Sequence, residues 1–232
     1  MIGNWKAVLF DLDGTLIDSE WFYYKAWKGA LEQYGVILDP ELWLNELAGK
    51  TDDQALTLIQ DRFSVQIDSE NLLAAIREII VVQNNKETVP LMPGVLELLR
   101  YLQERHVTMA VVTSSKRDTA LYHLERNNLL PFFNVLVSRC DIQHPKPNPE
   151  PYLHCVKQLG LIPADCLVLE DSVTGATAAL GAKISCLGVQ ANTTIRQKLP
   201  TLQTFNNLHD VREFLCGLSI AELPSGFRGG MR

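Results

Sequence analysis

From Pro93-Gly94 onward, short apolar runs alternate with segments of helical periodicity, and that alternation leaves few folds open. Val107 to Val112, Val135 to Val137, Cys166 to Leu169 and Ile184 to Leu187 read as strands. Between them, Val95 to Arg105, Arg117 to Asn127, Glu150 to Leu159 and Val173 to Leu180 read as helices. Strands separated by helices cannot pair as hairpins. They line up in parallel, with right-handed crossovers laying the helices on the sheet. Ala7-Val8-Leu9-Phe10, apolar and partly β-branched, adds a further buried parallel strand.

Residues from about Ser19 to Thr88 carry helix signals and no convincing strand. Phe22, Ala26 and Ala30 recur at helical spacing before Tyr34-Gly35, where glycine suits the left-handed position that ends a helix. Asp39-Pro40 starts another helix, and Thr51-Asp52-Asp53-Gln54 has capping-box spacing ahead of Ala55, Leu56 and Ile59. Leu72, Leu73, Ile76, Ile79 and Ile80 trace one more amphipathic face. The expectation is an α/β fold: a Rossmann-like parallel sheet core from 1–17 and 90–222, with an inserted all-helical domain at 18–89 over the carboxyl edge of the sheet. The insert's linkers leave near Asp18 and return near Pro90. The glycine-rich tail 223–232 has no apolar period and is expected to be disordered.

The 232 residues, 47% hydrophobic, suffice for one sizeable core plus a smaller insert. The net charge of −6 comes from interspersed acids and bases, so no basic face calls for nucleic acid or an anionic membrane. Five scattered cysteines without C-x-x-C pairing favour a reducing compartment and argue against zinc. No apolar run approaches the ~20 residues of a membrane span. A cytoplasmic protein is expected, a monomer or weak homo-oligomer.

Polar clusters close the apolar runs. Asp11 and Asp13 follow the first strand, and alternation puts both on one side with Leu12 on the other, while Gly14 allows a sharp turn. Ligands bind at that edge of open parallel sheets. Thr113-Ser114-Ser115-Lys116, then Lys146 in His144-Pro145-Lys146-Pro147, then Glu170-Asp171 end or follow later strands. Taken singly, each has a plainer account: two acids suit a turn, Lys146 an exposed loop, and Glu170-Asp171 a helix cap.

Together and in this order, the clusters resemble the haloacid dehalogenase superfamily of phosphohydrolases over nearly the whole chain. D-x-D-G-T is matched in full by Asp11 to Thr15, the strand-ending hydroxyl by Thr113, the K-P-x-P lysine by Lys146, and the acidic pair by L-E-D-S. The insert after the first motif matches the small helical cap of the branch that includes β-phosphoglucomutase and phosphoglycolate phosphatase. This resemblance implies a Mg²⁺-dependent phosphatase acting on a small phosphorylated metabolite, a sugar or sugar-acid phosphate. Asp11 would become an aspartyl-phosphate, and Asp13 would serve as general acid and then base. Lys146, the Thr113 hydroxyl and the Ser114 amide would bind phosphate. Asp11, the Asp13 backbone carbonyl and Asp171 would ligate the metal, with Glu170 in its inner or outer coordination sphere. The chemistry is coherent, because a phosphate dianion repels a carboxylate nucleophile unless a hard, oxygen-preferring cation stands between them.

Within the helical insert the chain departs from the mutase of that branch. Tyr23 falls where the mutase carries a histidine, and Asp52 where it carries an arginine that clamps a second phosphate. Hydrolysis is therefore expected over phosphosugar mutase activity. Glu20, Tyr23 and Lys50 are the candidate specificity contacts. Trp21, Tyr23, Tyr24, Trp27 and Trp43 are expected mostly to pack the insert's core, and the five histidines lack ligand spacing and are expected to be structural. A metal-free dehalogenase would not need Asp13 or the Glu170-Asp171 pair, a phospho-receiver would have no use for the insert, and a catalytically retired binding protein need not keep all four clusters.

Overall fold

The computed structural model describes residues 5–47, 50, 52–201 and 203–218. The chain divides into two compact units, Met1–Ile17 with Leu91–Arg232 and Asp18–Pro90. The first unit is built on six parallel strands in the order β3-β2-β1-β4-β5-β6.

In chain order, β1 (Ala7–Phe10) comes first. The helical unit follows, with α1 (Ser19–Leu31), a short α2 (Pro40–Leu42) that runs on as a π-helical turn over Trp43–Leu47, α3 (Asp52–Phe63) and α4 (Ser69–Lys86). The sheet unit resumes with α5 (Val95–Glu104), β2 (Thr108–Val112), α6 (Arg117–Arg126), β3 (Val135–Val137), α7 (Glu150–Gln158) and β4 (Cys166–Glu170). It closes with α8 (Val173–Gly181), β5 (Ser185–Val189), the four-residue α9 (Thr193–Arg196), β6 (Gln203–Phe205) and α10 (Leu208–Leu218).

Central strands of a parallel sheet are covered on both faces, and all four residues of β1 and all five of β4 are buried accordingly. Ala7, Leu9, Ala110, Val112, Val168, Tyr152, Cys155 and Ala179 belong to one core cluster, with α7 and α8 packed on the strands. Each fully buried Leu or Val side chain there contributes about 1.5–3 kcal/mol. The small residues of α8, Gly175, Ala176, Ala178 and Ala179, let that helix lie close to β4 and β5.

The helical unit has its own core, in which α1 packs on α4 and buried Tyr24, Trp27, Trp43, Ile59 and Leu72 interlock. Asp18 caps α1 through the Trp21 amide, and Asp39 caps α2 with Pro40 in its first turn. Where the chain passes between units, Ile17 bridges Leu91 within the first unit, and the Asp18 amide donates to Pro90 O at 2.8 Å within the second. The expected tail 223–232 lies outside the described residues, as do Ala48, Gly49 and Thr51. Among the described residues no helix is long and apolar enough to cross a membrane, and all five cysteines are unpaired.

Candidate active site

The strand ladders deliver the polar clusters to the carboxyl edge of the sheet. The Asp11 amide donates to Leu169 O at 3.0 Å and the Thr113 amide to Val137 O at 2.9 Å, so each side chain leaves from the last paired position of its strand. Beyond Asp11 the chain folds back, with the Gly14 amide on Ile17 O and the Leu16 and Ile17 amides on Leu12 O. Gly14 has φ +83°, and a Cβ there would overlap the Asp171 carboxylate. Glycine thus meets two demands at once, a left-handed turn and a close approach to an acid.

Lys146 reaches this edge with its side chain buried. Its three ammonium hydrogens are fully used: Nζ donates to Asp11 Oδ1 at 2.6 Å, Glu170 Oε1 at 2.6 Å and Val112 O at 2.9 Å. Glu170 is wholly buried and accepts four bonds. Lys146 and the Tyr152 hydroxyl (2.8 Å) share Oε1, while the Ser172 hydroxyl (2.9 Å) and amide (3.2 Å) share Oε2. The cap of α8 belongs to Ser172, which accepts from the Gly175 amide at 3.0 Å. Asp13 is held on the side of β2, where its Oδ2 accepts from the Ser115 hydroxyl at 2.7 Å and the Thr113 hydroxyl at 3.3 Å. Thr113 Oγ1 in turn accepts the Ser115 amide at 3.0 Å, and Ser114 is exposed.

Carboxylate oxygens of Asp11, Glu170 and Asp171 come within 4.8 Å of one another, with one lysine among them. Burial, abetted by Glu170 and Asp13 and opposed by Lys146, pushes Asp11 up to about 8. Burial, with Asp11 and Glu170, also holds Asp171 well above the usual carboxylate range. Burial opposes the charge on Lys146, yet attraction to Asp11 and Glu170 raises its pKa and keeps it charged. Acids outnumber bases in a dry setting, and an all-oxygen donor set with excess negative charge fits a hard divalent cation such as Mg²⁺.

In the helical unit, Glu20, Tyr23, Lys50 and Asp52 line one concavity of about 340 Å³ together with Trp27 and Trp43. Glu20 Oε2 accepts the Trp43 indole N–H at 3.2 Å. Tyr24, Trp27 and Trp43 are buried as core, whereas Trp21 and Tyr23 are 40% exposed. His123 is the buried histidine, pushed down by burial against the pull of Asp13.

Residues 8–189 match the family described as haloacid dehalogenase-like hydrolase. The chain belongs to that family. It is 30% identical to a phosphorylated carbohydrates phosphatase of Thermotoga maritima over 77% of this chain and 82% of the relative. A β-phosphoglucomutase of Bacillus subtilis is 27% identical over 79% and 83% of the two chains. Among solved structures, a haloacid dehalogenase family hydrolase of Deinococcus radiodurans with bound phosphate and sodium superposes with a TM-score of 0.80. That likeness covers 96% of this chain and all of the other at 24% identity, and it bears on the fold alone. The family and its phosphatase members make this chain a phosphoric monoester hydrolase.

The structure thus brings Asp11, Asp13, Thr113, Lys146, Glu170 and Asp171 to one edge of the sheet. It adds Ser115 and Tyr152, which sequence reasoning passed over. Ser115 had a visible signal, the third hydroxyl in a row just after a strand that ends at Val112. Tyr152 sits in the first turn of α7, where nothing local shows which way its hydroxyl points.

Proposed function

We propose that the chain is a Mg²⁺-dependent phosphatase of a small phosphorylated metabolite, a sugar or sugar-acid phosphate, working through an aspartyl-phosphate on Asp11. The observation that carries the proposal is the cluster of three carboxylates, two of them bonded to one fully engaged lysine, with Asp13 held separately by two hydroxyls. At ~4 Å and an effective dielectric constant of about 20, each like-charge pair repels by about 4 kcal/mol, so Asp11 cannot approach a phosphate dianion unaided. Asp11, Asp171 and the Asp13 carbonyl would hold Mg²⁺, which when bound supplies charge neutralisation and orientation of the phosphoryl group.

Asp11 attacks phosphorus in line and the P–O bond to the ester oxygen breaks, while Asp13 gives its proton to the departing alkoxide. Asp13 then takes a proton from water as the water attacks the phosphorus of the aspartyl-phosphate. Inorganic phosphate leaves and the Asp11 carboxylate is restored. Lys146 steadies Asp11, and it can meet a phosphoryl oxygen by giving up its longest bond, the one to Val112 O. The Ser114 amide takes a remaining phosphoryl oxygen, and the Thr113 hydroxyl takes another by turning from its 3.3 Å bond to Asp13, which Ser115 continues to hold. The helical unit serves as a cap, with Glu20, Tyr23 and Lys50 choosing the leaving group. Five unpaired cysteines agree with a cytoplasmic setting.

The kinship with a β-phosphoglucomutase supports phosphosugar mutase activity as a second possibility. Tyr23 and Asp52, in place of a histidine and an arginine, disfavour it. Asp11→Asn is expected to abolish Mg²⁺-dependent hydrolysis of p-nitrophenyl phosphate with the fold retained by circular dichroism. Hydrolysis equal to wild type overturns the mechanism. With hexose 1-phosphates, release of inorganic phosphate marks a phosphatase, and conversion to the 6-phosphate without release marks a mutase.

A further inference from the structure

The geometry points to Tyr152 as a positioning residue: its hydroxyl holds Glu170 to the Lys146 side and keeps that acid out of the metal's coordination sphere, leaving Asp11 and Asp171 to ligate. Tyr152 is wholly buried on α7, and it reaches across the core to donate to Glu170 Oε1 at 2.8 Å. Lys146 occupies the same oxygen at 2.6 Å, and its ammonium lies 4.9 Å from the Tyr152 ring centroid. Ser172 occupies the other oxygen through both its hydroxyl and its amide. A carboxylate offers about four lone-pair directions, and these four donors fill them. Glu170 therefore has no acceptor site left over. Asp171, by contrast, lies close against Gly14, where a Cβ would overlap its carboxylate, and its oxygens come within 4.8 Å of those of Asp11.

Removing the tyrosine hydroxyl frees one lone pair of a buried acid. Glu170 then draws Lys146 more strongly, weakening the hold on Asp11, and it offers the metal a third carboxylate. This role rests on the proposed phosphatase mechanism. Tyr152→Phe is the test, since it preserves the ring, its volume and its cation–π contact. Relative to wild type, kcat for p-nitrophenyl phosphate is expected to fall about tenfold with KM changed less than about twofold. Mg²⁺ binding to the protein alone, by calorimetry, is expected to tighten at least about threefold. A purely structural Tyr152 moves neither quantity beyond the loss of folded protein seen in circular dichroism. Either readout remaining at the wild-type value overturns the role. Failure of wild type itself to release phosphate would strike the phosphatase mechanism instead, and the calorimetric comparison would still decide whether Glu170 is withheld from the metal.

Discussion

Gly175 is the position where a single methyl group should do most damage to the sheet edge. It lies in the first turn of α8, and a Cβ built on its backbone would overlap all three atoms of the Glu170 carboxylate. Glu170 cannot move aside cheaply, because it is wholly buried and tied to Lys146, Tyr152 and Ser172. Relief requires either swinging the carboxylate out of its bonds or lifting α8 from β4. Breaking a buried ion pair costs about 3–5 kcal/mol, and the lost tyrosine bond adds about 1 kcal/mol. Alanine returns up to about 1 kcal/mol by its better helix propensity. The net loss for Gly175→Ala is about 3–5 kcal/mol, which lowers the melting temperature of a domain of this size by about 10 °C. Gly181→Ala is the matched control in the same helix, where the nearest atom to a new Cβ is Pro149 Cβ at an ordinary 3.5 Å. It is expected to be neutral or slightly stabilising. Thermal unfolding of both variants, followed by circular dichroism and calorimetry, decides the matter. A Gly175→Ala protein melting within about 2 °C of Gly181→Ala would refute the idea that Glu170 is rigidly held.

Ser115→Ala removes the shorter of the two bonds to Asp13, so kcat for p-nitrophenyl phosphate is expected to fall about tenfold with KM within about twofold. Unchanged kcat contradicts a role for Ser115 in holding Asp13. Away from the site, Asp141 accepts from the Ser138 hydroxyl and amide and from Arg117. Burial raises its pKa, but these donors outweigh it and hold the group below the usual carboxylate range. A depressed folded value stabilises above the unfolded pKa of about 3.9, and the benefit disappears as pH falls through the folded value. Asp141→Asn should therefore lower the melting temperature near about pH 7 and by less near about pH 3, and a gap that fails to narrow contradicts the assignment.

Much of the sheet was legible in the sequence because buried parallel strands announce themselves as apolar runs of four or five residues. Ala7–Phe10 and Val135–Val137 match the sequence reading to the residue, and the other strands and helices marked by the alternation as far as Leu187 match within one or two. Gln203–Phe205 was not read as a strand. It is half-exposed at the sheet's edge and carries no apolar run, so only its pairing with β5 makes it one. The α10 helix was also passed over, although Leu208, Val211 and Leu215 mark its buried face. At the site, the motif order identified which residues matter but not what they do to one another. Glu170 as an acid was plain from the sequence. That it is bound by a tyrosine eighteen residues earlier and by a lysine in another loop depends on how α7 packs.

The central place of β1 has a consequence for how the molecule comes into being. Its register partners lie about a hundred residues later in β2 and about 160 residues later in β4. The loop carrying Asp11 is thus made well before the strands that flank it and is completed only when both have emerged. Its amide waits for Leu169, and its carboxylate waits for Lys146. Pairings of such long range are slow to form, and until they do, the apolar run Ala7–Phe10 has no neighbour on either side. A growing chain therefore cannot complete the contacts among Asp11, Lys146 and Glu170 before Glu170 has emerged. During that interval the same four residues are a natural point of attachment for chaperones, or for another unfinished chain.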